Sequence, residues 1–322
     1  MTSAVTVTLP PVPAQVAVPI ATPFSRSRFL SDLQTACKAL NVPYSESTTL
    51  KILKTFATSF SRGAVLFRTT DQPNGPLNYR VYERESIDMV SQSIDADLLP
   101  RDSILGKLVQ TWSSLYGAES HQLADFDSAR GLVKFWVFLG GIRPLGEILN
   151  VPGVPECIKQ YRGMFETLNL TGVRHTAVDL EKASINLYFR TKPNLSRRDM
   201  NEYTSLAGAD PIPDPLYSEI AAHFPKSGGT FAVTLDFNTG HISRIAFYAL
   251  RLEENNLPPS ATLGRIRTFF EVCPSYEVDE MKALAWSFGE GTKRYVKAEH
   301  SYTGDLVGLI RGWGTSLSCG DA

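Results

Sequence analysis

Five times along this chain a helical stretch is followed by two alternating runs joined by a short turn, and the pattern recurs about every 55–60 residues. The paired runs are Ala64–Thr70 with Leu77–Arg84, two runs within His121–Gly141, and Arg174–Thr191 turning at Glu181-Lys182. Gly229–Leu252 turns at Asn238-Thr239-Gly240, and Ala283–Ser301 turns at Gly289–Gly291. Short turns impose antiparallel pairing, and roughly ten such strands leave exposed edges unless the sheet closes on itself. Helical spacing is expected over Arg28–Leu40, Glu46–Phe60, Ile87–Ala96, Ile104–Tyr116, Glu156–Leu168, Ser196–Tyr203, Leu216–Phe224 and Leu306–Trp313. The fold class expected is α+β: a closed ten-stranded antiparallel β-barrel surrounded by helices, as a single domain over 26–318.

With 43% hydrophobic and 20% charged residues, the chain has enough apolar material for a core. Lys and Arg total 32 against 33 for Asp and Glu, a net charge of -1, which disfavours a general nucleic-acid binder. Cys37, Cys157, Cys273 and Cys319 form no CxxC pair, and the five histidines show no metal-ligand spacing. Cys157 and Cys273 read as small packing groups, His175 and His223 as structural or exposed. The acidic pairs around Asp125-Phe126-Asp127 and Asp279-Glu280 read as solvated turns. No run is apolar enough over about 20 residues to cross a membrane. Residues 1–25 lack Lys and Arg and carry five prolines, so they read as a mobile arm rather than a secretory signal, with 319–322 as a short tail. The expected compartment is the cytoplasm, and the expected state is a monomer.

Strand parity sorts each run into two faces. Asn186, Tyr188 and Arg190 oppose Ile185, Leu187 and Phe189; Arg244 and Tyr248 oppose Ile245 and Phe247. Asn78, Arg80 and Tyr82 share a face, as do Tyr295, Lys297 and Glu299, while Lys134 sits between Val133 and Phe135 and Arg68 between Phe67 and Thr69. If amphipathic helices cover the apolar face, the cations and tyrosines point into the barrel, where confined positive charge calls for an anion such as a diphosphate. The same alternation also fits a half-exposed sheet whose polar face meets water.

The stretches ADFDSARG, KFWVFLGGIRP, SINLYFR, VTLDFNTGHISRIAFYAL and YVKAEHSYTG resemble the soluble aromatic prenyltransferases of the ABBA, or PT-barrel, type. The likeness runs from about Arg28 to Trp313 and is strongest to the branch serving clorobiocin and novobiocin synthesis. It implies a helix-wrapped ten-stranded barrel that transfers a prenyl group, dimethylallyl above all, from an allylic diphosphate to a carbon of an aromatic small molecule. By motif, the resemblance implies a diphosphate cradle of Arg68, Arg80, Lys134, Asn186, Tyr188, Arg244, Tyr248 and Lys297. It places the aromatic acceptor near Arg174, Thr230 and Glu299, and assigns the catalytic roles to Glu299, Lys134 and Arg244. Arg68 stands where relatives often carry Lys, and Thr230 where the nearest branch carries Cys. Asn78 occupies the region where metal-dependent members place Asp, so no metal and no magnesium requirement is expected. The alternative is a non-catalytic barrel carrying a small aromatic ligand; a single-stranded nucleic-acid binder is opposed by the net charge.

Overall fold

The computed structural model describes residues 22–315. Most of the expected arm, residues 1–21, and the expected tail with Cys319 lie outside the described residues. Phe24, assigned to the arm, packs against Phe29 and Phe60 at ring-centroid distances of 5.4 and 5.3 Å, so the packed chain begins before the expected boundary.

Ten strands form the barrel: β1 Ala64–Thr70, β2 Asn78–Tyr82, β3 His121–Asp127, β4 Gly131–Pro144, β5 Gly172–Asp179, β6 Ser184–Arg190, β7 Thr230–Asp236, β8 Ile242–Ala249, β9 Lys282–Phe288 and β10 Arg294–Thr303. Each pairs with its neighbours in sequence, and β1 pairs antiparallel with β10 to close the sheet. The strands are rich in branched and aromatic residues, which suit a pleated surface buried on both sides.

Three of the hairpins are closed by one device. Asp236 Oδ1 accepts from the backbone N–H of Asn238 and Thr239 at 3.0 and 2.8 Å. Asp127 Oδ1 accepts likewise from Ala129 and Arg130, and Asp179 Oδ1 from Glu181 and Lys182. The side chain thus imitates a backbone turn and satisfies two amides that would otherwise lack partners. The fourth residue after each Asp takes a left-handed conformation, at Gly131, Ala183 and Gly240, with φ of 90°, 44° and 74°. Every hairpin turn lies at the same end of the barrel, because strands alternate in direction. The longer, helix-bearing crossovers lie at the other.

The helices sit where expected, with differences that have local causes. The expected Glu46–Phe60 helix is two, Glu46–Thr55 and Ala57–Arg62, hinged at Phe56 so that Phe56 and Phe60 are both buried. The Glu156–Leu168 stretch likewise divides into Glu156–Lys159 and Arg162–Thr167. A helix at Gly264–Val272, burying Ile266 and Phe269, lacks the polar cap that would have announced it, since Leu263 occupies that position. Ser45 and Ser103, by contrast, accept from Thr48 and Gly106 backbone N–H groups and start their helices.

Apolar residues form two separate layers. The larger lies between barrel and helices and includes Phe29, Phe67, Tyr79, Phe126, Leu187 and Phe247. The smaller lies inside the barrel and includes Leu66, Trp136, Tyr188, Ala232 and Tyr248. This excludes the half-exposed sheet: both faces of the strands are buried. The helix Leu306–Gly312 departs from the expected wrapping role, because Leu306, Val307, Leu309 and Ile310 belong to the inner layer. It plugs the crossover end of the barrel. Among the described residues no helix is long and apolar enough to cross a membrane.

Ala183 is the one alanine in the three left-handed turn positions, where its Cβ crowds the backbone. Ala183→Gly should raise stability by ~0.5–1 kcal/mol, the relief of strain exceeding the extra freedom of the unfolded glycine. Denaturant unfolding checks this; a loss of stability would show that Ala183 is not strained.

Candidate active site

Register places the inward residues in two halves. Near the hairpin end, Arg68 stands opposite Asn78 and Glu299, Arg80 opposite Asp125, Asp125 opposite Lys134, and Asn186 opposite Thr234, which faces Arg244. Nearer the crossover end, Tyr82 stands opposite Leu123, Leu123 opposite Trp136, and Thr230 opposite Tyr248. The strands therefore bring Arg68, Arg80, Lys134, Asn186, Tyr188, Arg244, Tyr248, Lys297, Thr230 and Glu299 into one lumen. Arg174 behaves differently.

Asp125 is the main departure from expectation. It is no solvated turn residue: it points into the lumen and is 1% exposed. Its Oδ2 lies 2.9 Å from Arg68 Nη1 and accepts from Arg80 Nη2 at 3.2 Å, while Oδ1 accepts from Arg80 Nε. Arg80 also reaches Glu299 Oε1 at 3.3 Å and donates to the Tyr82 hydroxyl at 2.7 Å. Its guanidinium lies 4.1 Å from the Trp136 ring. Burial works against the Asp125 charge, yet Arg80 and Arg68 hold the carboxyl down at about 2. Arg80 is thus largely committed to protein partners and stands as an organiser between the two halves. The second acidic pair is also engaged: Asp279 bridges to Arg251 and Arg311, and Glu280 to Lys282 and His300.

Three cations have only neutral recorded partners. Lys134 Nζ donates to Asn186 Oδ1 at 3.0 Å, and Asn186 Nδ2 donates to Thr234 Oγ1 at 2.7 Å. Arg244 Nη2 donates to the same hydroxyl at 3.0 Å, and Lys297 Nζ to the Tyr248 hydroxyl at 3.4 Å. Among the described residues none of these three makes an ion pair. Burial lowers Lys134 to about 7, with Arg68 adding to it, and lowers Lys297 well below its ordinary value, with Arg244 and Arg68 adding. This half of the lumen is short of negative charge, the condition for binding a polyanion.

The other half is an aromatic cavity walled by Trp136, Tyr188, Tyr248, Leu123, His175 and Trp313 among others, with Thr230 and Glu299 also on its surface. Trp136 and Tyr188 lie 4.5 Å apart at 34°, and Tyr188 meets Tyr248 edge-on at 5.9 Å. Burial pushes the Tyr248 hydroxyl up to about 12 and lowers His175 to about 3, so both are neutral near pH 7. The indole N–H of Trp136 and the hydroxyl of Thr315 are buried without partners on this surface. Such groups suit a ligand with polar substituents on an apolar body.

Arg174 does not line this cavity. It falls where the pairing of β5 with both neighbours shifts between Val173 and His175, and it donates to the Trp313 carbonyl at 2.6 Å. His175 keeps the inward alternation of Ala177 and lies 5.3 Å from Phe138 and 5.9 Å from Trp313. Asp125 and Trp136 share inward parity with Leu123 and Lys134 and were available to the same alternation argument. His175 was available to it as well, since it shares parity with the inward Ala177 and the register shift comes only before it, between Val173 and His175.

The family model described as aromatic prenyltransferase Orf2 matches residues 24–314. The chain belongs to this family. An aromatic prenyltransferase from Botryotinia fuckeliana is 47% identical over 298 residues, covering 92% of this chain and 96% of that protein. A 4-hydroxyphenylpyruvate 3-dimethylallyltransferase from Streptomyces niveus is 38% identical, covering 92% and 91%. The solved structure of 5-dimethylallyltryptophan synthase from Streptomyces coelicolor has the same fold, with a TM-score of 0.55 at 10% identity over 87% of this chain and 97% of that one. So does NotF in complex with brevianamide F and DMSPP, with a TM-score of 0.54 at 10% identity, covering 92% and 100%. The lumen described above is therefore that of an aromatic prenyltransferase.

Two outcomes follow for this prenyltransferase. Asp125→Asn leaves Arg68 and Arg80 facing each other without their shared anion, and should cost about 3–5 kcal/mol in unfolding experiments. The wild-type contribution of Asp125 is present above the ordinary carboxylate value and is lost as pH falls through about 2, so acid unfolding should begin at higher pH in the variant. At pH 8, Lys134 is mostly neutral in the empty site, and a bound anion raises its proton affinity. Binding of inorganic diphosphate at pH 8 should therefore take up protons, and Lys134→Met should lower the uptake. Calorimetry in two buffers of different ionisation enthalpy measures this; zero uptake would separate Lys134 from the anion.

Proposed function

We propose that this enzyme moves a dimethylallyl group from its diphosphate to a carbon of an uncharged phenolic acceptor, releasing diphosphate. The observation that carries the reading is a single lumen with three basic side chains that make no ion pair among the described residues at one end and an aromatic cavity at the other. Lys134, Arg244 and Lys297, with Asn186 and the Tyr188 and Tyr248 hydroxyls, hold the diphosphate. Arg68 keeps part of its charge for it, and Arg80 orients the cluster. As the carbon–oxygen bond breaks, negative charge gathers on the leaving group, and preorganised cations stabilise it more than they stabilise the ground state. The ring faces of Trp136, Tyr188 and Tyr248 shield the allylic cation and exclude water.

Glu299 sits on the cavity wall with Arg80 beside it, placed to accept a hydrogen bond from the acceptor hydroxyl and push electron density into the ring. The ring carbon then attacks the allylic carbon, and loss of the ring proton restores aromaticity. Two features favour an uncharged acceptor over the hydroxyphenylpyruvate named for the Streptomyces niveus relative: Arg174 is turned to a backbone carbonyl, and Arg80 is neutralised by Asp125 and Glu299. A closely packed aromatic cavity shared by two substrates favours the shortest allylic donor. With lysine and arginine supplying the charge, no metal is needed. All of these groups come from one chain, as a monomer requires, and the free thiols of Cys37, Cys157 and Cys273 suit the cytoplasm.

The test is incubation with dimethylallyl diphosphate, excess EDTA, and either a naphthalenediol or 4-hydroxyphenylpyruvate. Diphosphate release with a carbon-prenylated naphthalenediol is expected. Ligand recovered unchanged would mark a carrier, rescue by magnesium would overturn metal independence, and preference for the acid would overturn the uncharged acceptor.

A further inference from the structure

Among the described residues, Trp313 is the one aromatic wall of the acceptor cavity that no strand supplies. Its ring lies nearly parallel to Phe138, with centroids 4.2 Å apart at 12°, and 5.8 to 6.0 Å from His121, His175 and Tyr82. It follows directly on the plug helix Leu306–Gly312, so its place depends on what anchors that helix. At the start of the helix, both Glu277 carboxylate oxygens accept from the Leu306 N–H at 3.1 Å, and Asp305 accepts from Gly308 N–H at 3.0 Å. At the far end the backbone reverses through Gly314, at φ 66°, whose N–H donates to the Arg311 carbonyl.

The Trp313 carbonyl is left to a side chain. Arg174 Nη1 donates to it at 2.6 Å across 139 residues of sequence. Arg174 is 6% exposed and has no ion pair among the described residues. A guanidinium kept in such a place without a carboxylate suits the partially negative end of a helix, where last-turn carbonyls lack backbone partners.

We propose that Arg174 is a positioning residue for acceptor selection: by holding the Trp313 carbonyl it fixes the indole as the end wall of the cavity and limits the size of acceptor that fits. This rests on the acceptor reading given above, and differs from a direct role for Arg174 in binding an acceptor carboxylate. Releasing the latch lets the wall withdraw, so small acceptors lose contact and larger ones gain room.

Steady-state kinetics of Arg174→Ala, Trp313→Ala and the double variant, with one-ring and three-ring uncharged phenols, decide the matter. Each single variant should raise KM for the one-ring phenol about 10-fold, the scale of one charge-assisted hydrogen bond, and lower it for the three-ring phenol, with the donor KM unchanged. The double variant should match Trp313→Ala alone, and Arg174→Lys should restore part of the wild-type preference. In Arg174→Ala, amide hydrogen exchange over 306–315 should quicken even with no substrate present, which keeps the result independent of the acceptor assignment. If Arg174→Ala does not fold, Arg174→Lys alone and combined with Trp313→Ala provides the same comparison. Multiplicative losses in the double variant, unchanged exchange at 306–315, or discrimination by acceptor charge rather than size would overturn the proposal. A wild-type protein that prenylates no phenol would overturn the functional reading instead, leaving the exchange result to judge the latch.

Discussion

A carboxylate inside the barrel makes the rest of the lumen tenable. Five basic side chains, Arg68, Arg80, Lys134, Arg244 and Lys297, face inward, where burial and mutual repulsion lower the proton affinity of Lys134 and Lys297 and oppose closure of the sheet. Asp125 ties two of them together from a single position on β3, and Glu299 meets the second from β10. Enough positive charge is neutralised for the barrel to close, and enough is left uncompensated for a polyanion to complete it.

The fold does not draw on the lumen for its core. The apolar layer between strands and helices is built from Phe29, Phe67, Tyr79, Phe126 and Phe247, all fully buried outside the barrel wall. This separation frees the inner face for side chains that would be costly in a conventional core. It also accounts for solved barrels of the same fold at 10% identity: an outer layer needs only apolar volume at alternate positions, which many sequences supply.

Much of this was legible in the chain before any coordinates. Alternation in SINLYFR and ISRIAFYAL separates the inward tyrosines and cations from the outward aliphatics, and five hairpins imply closure. What escaped had physical reasons. Asp125 was taken with Asp127 because adjacent acidic residues resemble a turn, although one points inward and the other closes the hairpin. His175 shares parity with the inward Ala177, but its strand lacks the alternating cations and tyrosines that mark the others, and Arg174 sits at the register shift between Val173 and His175, where alternation does not carry through. Trp313 left no trace because its neighbours are distant in sequence, and helical spacing alone does not say whether a helix wraps a barrel or enters it.

The two ends of the barrel are made from different kinds of connection, and that difference reaches further than architecture. At the end bearing the cations, successive strands are joined by tight turns, several held by an aspartate gripping its own backbone. Such joints tolerate little insertion, so the side chains beside them keep fixed positions. At the opposite rim the chain leaves through long helical excursions and returns as a separate plug, and length or composition there can drift without disturbing the turns. On the proposed reading, the half that handles the diphosphate sits where the backbone has least freedom to change.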